Sequence, residues 1–128
     1  MRNFDYPRQA RLLDAGDFRS VFDKAEIKAS TKYFLLLARR NALSTPRIGF
    51  VLSKKNIKLS VDRNRIKRVS RDYFRLERHK IPSIDIVFLG RKGIAEIDNE
   101  TFRQQLHYSI KKLISKADQI SNDTAGQL

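Results

Sequence analysis

The stretch YFLLLARRNALSTPRIGFVLS, residues 33–53, holds two runs of strand character around a polar turn. In the first run, Tyr33 to Arg40, apolar residues occupy both alternating faces, as in an interior strand covered from above and below. In the second, Arg47 to Ser53, Ile48, Phe50 and Leu52 alternate with Gly49, Val51 and Ser53. The segment Asn41 to Pro46 between them is rich in Asn, Ser, Thr and Pro. The economical expectation is an antiparallel pair of strands joined by that turn.

Working outward, a short edge strand is expected at Ile27 to Ser30. Before it, LLDAGDFRSVF (residues 12–22) reads as a helix start. Asp14 can cap the helix, Asp17 falls at its third position, and Leu13 and Phe18 sit where a hydrophobic staple forms. Phe18, Val21, Phe22 and Ala25 then make one apolar stripe. Downstream, KKNIKLSVD leads into a helix that begins near Ser60 or Asp62, runs to about Arg78 and stops before Pro82. IDIVFLG (residues 84–90) is a further strand. Asp98 or Asn99 caps a last helix whose Phe102, Leu106, Ile110 and Leu113 share a core-facing stripe. The first ten residues, with Pro7, read as an extended arm, and the polar segment from Ser121 as a frayed tail. The order is helix, strands, helix, strand, helix: one domain over residues 1–120 with a tail at 121–128, and an α+β two-layer sandwich.

Charge is unevenly spread. The chain of 128 residues has 27 Lys and Arg against 14 acids, a net charge of +13. Between Arg39 and Lys80 fourteen cations meet three acids (Asp62, Asp72 and Glu77), so this third of the chain carries most of the excess. Such crowding costs self-repulsion and points to a polyanionic partner. A membrane surface fits less well than nucleic acid, because no Trp-bearing apolar face accompanies the cations. The chain has no Cys, which excludes disulfides and thiolate metal sites. It shows neither a signal-peptide pattern nor a span of bilayer length, so a soluble cytoplasmic protein is expected.

The densest basic segment is RNRIKRVSRDYFR, residues 63–75, with six Lys or Arg in thirteen positions. At helical spacing Ile66, Val69, Tyr73 and Leu76 share one face, and Asn64, Lys67, Arg68, Arg71, Arg75 and Arg78 the opposite one. Arg63 and Arg65 flank the boundary. A merely solvated face would intersperse acids for i,i+4 pairing, and here they are nearly absent. Arg outnumbers Lys, and its planar fork suits phosphate. Ser53, Lys54, Lys55 and Asn56 extend the same positive surface. Phe18 and Phe22, one turn apart, are either core or a stacking platform for unpaired bases; Phe34 and Phe50 could line the same groove.

Protein-borne catalysis finds no support. Glu96, Asp98 and Glu100 are explained by their place before a helix. His79 and His107 lack a ligand-spaced partner, and there is no phosphate-cradling glycine loop or nucleophile elbow.

Taken in order, RLLDAGDFRSVF, PRIGFVLSKKN, DRNRIKRVSRDYFR, DIVFLGRKG and IDNETFRQQL resemble the RNR-motif family of bacterial ribonuclease P protein subunits over most of the chain. The resemblance implies a mainly antiparallel sheet with a left-handed βαβ crossover. It also implies removal of the 5′ leader of precursor tRNA by an endoribonuclease whose RNA subunit carries the chemistry with Mg²⁺. The protein would then hold no catalytic residue and no metal, and need no protein partner. Carried over by position, Arg63, Asn64, Arg65, Lys67, Arg68, Arg71 and Arg75 should contact the catalytic RNA. Phe18, Phe22, Phe34, Ser53, Lys54 and Lys55 should face the single-stranded leader. Leu36 stands where some members have an aromatic, which shifts stacking toward Phe18 and Phe22. A ribosomal or chaperone-type RNA-binding protein of similar fold is the alternative reading.

Overall fold

The computed structural model describes residues 15–41, 43 and 45–126, with side chains of the last helix placed as far as Gln119. The expected N-terminal arm and the Leu13 and Asp14 capping arrangement lie outside the described residues. The elements run α1 (Ala15–Lys24), β1 (Ile27–Ser30), β2 (Phe34–Arg40), β3 (Arg47–Val51), α2 (Ser60–Glu77), β4 (Ile84–Gly90) and α3 (Asn99–Gly126). Single 3₁₀ turns at Arg78–Lys80 and Ile94–Glu96 join them. α3 continues past Ser121, where the sequence reading begins a frayed tail; no Gly or Pro interrupts it before Gly126.

The sheet order is β1-β2-β4-β3. β2 pairs antiparallel with β1 on one side and with β4 on the other, from Phe34 opposite Gly90 to Arg40 opposite Ile84. β3 pairs with β4 in parallel, from Arg47 with Asp85 to Val51 with Leu89. The expected β2–β3 hairpin is therefore not formed, because β4 lies between the two strands. Alternation in a sequence reports faces, not neighbours, and residues 41–46 easily reach across the two strand spacings involved, about 10 Å. β4 is buried at every residue but Leu89, and an all-buried strand needs a partner on each edge. The parallel β3–β4 pair then requires a crossover, which α2 supplies.

Each sheet face carries helices. On one face Ile27, Ala29, Phe34, Leu36, Ala38, Ile48, Ile84, Ile86 and Phe88 join Ile66, Val69 and Phe74 of α2 and Phe102, Leu106, Ile110, Leu113 and Ala117 of α3 in the main core. Phe34 stacks on Phe88 with ring centroids 4.9 Å apart, and Phe102 meets both edge-on. On the other face α1 docks through Val21 onto Val87, with Phe18, Leu37 and Leu89 around them. This explains why β2 is apolar on both sides.

α2 sits in a phase slightly different from that expected. Ser70 and Phe74 are buried beside Ile66 and Val69, while Leu76 is 57% exposed. The helix has rolled toward Phe74, whose ring fills more core volume than Leu76 could. Tyr73 is left at the edge, where its hydroxyl lies 2.6 Å from His107 Nδ1 of α3. Burial first, and Glu77 second, push the Tyr73 phenol up to about 12, so it stays protonated across the neutral range. Among the described residues no helix is long and apolar enough to cross a membrane.

Phe34→Ala should lower the unfolding free energy by about 3–5 kcal/mol, measured by chemical denaturation. The Tyr73 phenol has a folded pKa above its unfolded one. The stability that depends on the neutral phenol should therefore be complete below about pH 10 and be lost as pH rises through about 12. Ultraviolet titration should show a late-ionising phenol in the wild type that Tyr73→Phe lacks; its presence in both would disprove the assignment.

Candidate nucleic-acid interface

α2 displays cations on its outer side because its inner side is spent on the core. Asn64 and Arg68 are exposed, and Lys67, Arg71 and Arg75 are half-buried around them. Arg71 lays its guanidinium over the Phe50 ring, 5.4 Å from the centroid. Arg75 donates to Asp72 Oδ1 at 2.6 Å.

The two arginines that the sequence reading placed at the boundary of the face have turned inward. Arg63 donates from one nitrogen to the Ile57 and Lys58 carbonyls at 2.6 and 3.0 Å, tying the helix start to the loop before it. Arg65 donates to Asn99 Oδ1 at 2.7 Å and to the Ala95 carbonyl at 3.1 Å, joining α2 to the start of α3. Gly93, at φ 98, takes the left-handed turn that leads β4 into the segment carrying Ala95. The signal was already in the helical wheel: a long cation beside a buried stripe reaches the neighbouring element before it reaches solvent.

The groove residues divide sharply. Phe22 is 45% exposed and Phe18 half-buried, both on α1. Val51 of β3, on the face that α1 covers, is 37% exposed beside half-buried Leu89, because α1 packs on β2 and β4. α1 therefore leaves the β3 edge of this sheet face uncovered. Ser53, Lys54 and Lys55 are exposed at the end of β3. Ser53 stabilises that turn, its Oγ accepting from the Asn56 N–H at 3.1 Å.

Phe34 does not belong to the groove. It is fully buried on the opposite sheet face, and no base can reach it. The alternation of β2 places Phe34, Leu36 and Ala38 on the core side and Leu35, Leu37 and Arg39 on the α1 side. Leu36 is thus core as well, and Leu35 and Leu37 belong to the α1-facing side. Phe50 lies under α2 with Arg71, not with Phe18 and Phe22.

One arrangement escaped the sequence reading. Arg47 of β3 donates to both oxygens of Asp85, from Nε at 2.8 Å and from a terminal nitrogen at 2.7 Å. Its other terminal nitrogen reaches Asp17 of α1 at 3.1 Å. Asn41 adds a 2.8 Å bond to Asp85. Pairing with Asp85 above all raises the Arg47 pKa beyond its ordinary value. Residues 17, 41, 47 and 85 are too far apart in sequence, and too ordinary in type, to signal a cluster.

Asp98 acts as a cap: its carboxylate accepts from the Thr101 N–H at 2.7 Å, and hydrogen bonding from the Thr101 side chain, then its backbone, lowers its pKa. Among the described residues no three His, Asp or Glu side chains gather in a group that could hold a metal ion.

The two kinds of arginine should separate experimentally. Arg65→Ala should cost about 1–2 kcal/mol in urea denaturation through its lost inter-element bonds. Arg68→Ala, at an exposed position, should stay within about 0.5 kcal/mol of wild type. Equal effects would contradict the division.

Comparison with known proteins identifies the family and the fold. The family model described as Ribonuclease P matches residues 6–114. The ribonuclease P protein component of Chromohalobacter salexigens is 49% identical over 113 residues, covering 88% of each chain. That of Azotobacter vinelandii is 43% identical over 95% of this chain and 94% of its own. Among solved structures, the RNase P protein from Thermotoga maritima superposes with a TM-score of 0.70 at 32% identity, over 80% of this chain and 96% of that one. The Staphylococcus aureus RNase P protein reaches a TM-score of 0.74 at 24% identity, over 80% and 94%, a likeness of fold. The chain belongs to the bacterial ribonuclease P protein family, the protein subunits of a ribonucleoprotein endoribonuclease.

Proposed function

We propose that the chain binds the ribonuclease P RNA through the outer side of α2 and holds the 5′ leader of precursor tRNA in the groove between α1 and β3. The observation that carries this reading is the placement of two different surfaces on opposite faces of one sheet, meeting at the β3 edge. One is a helix face of Asn64, Lys67, Arg68 and Arg71, suited to the phosphates of a folded RNA. The other is apolar and narrow, with Phe22 and Val51 exposed and Lys54 and Lys55 at one end, suited to an unpaired strand. Arg63 and Arg65 support the first surface by fixing the pose of α2.

In this reading the RNA subunit holds Mg²⁺, which activates water for hydrolysis of the phosphodiester. The protein contributes charge and position. Its cations reduce repulsion between two RNAs, and the groove keeps the leader in line with the cleavage site. No second protein is required, and the complex would work in the cytoplasm.

Reconstitution with the cognate RNA tests the reading. Precursor tRNA should be cleaved at a Mg²⁺ concentration at which the RNA alone is slow, with no cleavage by RNA-free protein. Arg68→Ala and Asn64→Ala should weaken binding to the RNA subunit, and Arg68→Ala should lower the slope of log affinity against log salt by about 1. Unchanged affinity and slope would remove α2 from the interface. Recovery of ribosomal RNA instead of the ribonuclease P RNA from cells would favour a ribosomal or chaperone role.

A further inference from the structure

Over its described residues α1, Ala15–Lys24, has a small apolar anchor. Among its described side chains only Val21 is fully buried, with Phe18 half-buried beside it. Hydrophobic contact is non-directional and leaves such a helix free to slide or tilt on a flat sheet. A guanidinium fork is directional. Arg47 supplies one, with its side chain 17% exposed between Asp85 at 11% and Asp17 at 27%. Asp85 is itself the charged residue of the buried β4 run, and Asn41 orients it. A buried ion pair adds little net stability over apolar residues of the same volume. What this one adds is direction, at the end of the helix that carries Phe18.

We propose that Arg47 is a positioning residue of the leader groove: anchored on Asp85, it holds Asp17, and with it α1, Phe18 and Phe22, at a set distance from β3. The width of the groove, and so its fit to a single unpaired strand, is then fixed by one side chain spanning β3, β4 and α1. Arg47 touches neither RNA nor substrate in this role. The inference rests on the groove being the leader site.

The test uses the holoenzyme reconstituted with the ribonuclease P RNA, and compares equilibrium binding of precursor tRNA with that of mature tRNA. Wild type should prefer the leader-bearing substrate; absence of any preference would overturn the groove reading together with the clamp. Asp17→Ala leaves Arg47 on Asp85 and removes its tie to α1. It should reduce the leader-dependent preference about tenfold, the equivalent of one charge-assisted hydrogen bond. Affinities for mature tRNA and for the RNA subunit should stay within about twofold. Asp17→Glu, which keeps the charge pair, should restore most of the preference. Arg47→Lys keeps the charge without the fork and should share the loss. With a wild-type preference in hand, an unchanged preference in Asp17→Ala would overturn the clamp. So would a parallel loss for precursor and mature tRNA, the mark of a merely structural role.

Discussion

β4 is the constraint from which the rest follows. Ile84–Gly90 offers no polar face, so it must be central in the sheet and covered on both sides. Centrality separates β2 from β3 and makes β3 a parallel neighbour, which obliges the chain to cross over through α2. Cover on both sides places α2 and α3 on one face and α1 on the other. The basic helix and the aromatic helix are thereby assigned to opposite faces of one sheet, before any functional demand is considered.

The arginines of α2 show how one residue type serves two purposes within a single helix. A guanidinium has five donors in a rigid plane, so where a carbonyl or a side-chain amide lies within reach it becomes a strap. Arg63 and Arg65 find such acceptors in Ile57, Lys58, Ala95 and Asn99. Arg68, about one turn along, stays exposed. The straps matter to the exposed cations. Like charges side by side on a helix repel, and a helix pinned at its first turns to both the preceding loop and α3 holds that repelling face in place.

Arg47 shows the same side chain at work on the other face of the sheet. There it meets two carboxylates, one of them also held by the Asn41 amide, in a half-buried site, and links α1, β3 and β4, which are far apart in sequence. Among the described side chains of α1, Val21 and a partly exposed Phe18 make its apolar seat. A groove lined by such a helix has a defined width only if something directional sets it.

Much of this was legible in the chain itself. Short apolar runs marked β2 and β4, alternation marked β3, and period-3.6 stripes marked α2 and α3 with Phe102 to Leu113, because local burial is written residue by residue. The excess of cations between Arg39 and Lys80 is legible for the same reason, since charge is a property of composition, and it is what points to a polyanionic partner. What tertiary structure alone decided were the neighbours. Alternation could not say that β4 would stand between β2 and β3, nor that Phe34 and Leu36 would face the main core while Leu35 and Leu37 faced α1. The small roll of α2 onto Phe74 was settled by packing volume. That Arg63, Arg65 and Arg47 bind protein acceptors depends on carbonyls and carboxylates brought close by the fold, and a side chain with three rotatable carbons declares its partner only once those acceptors are in place.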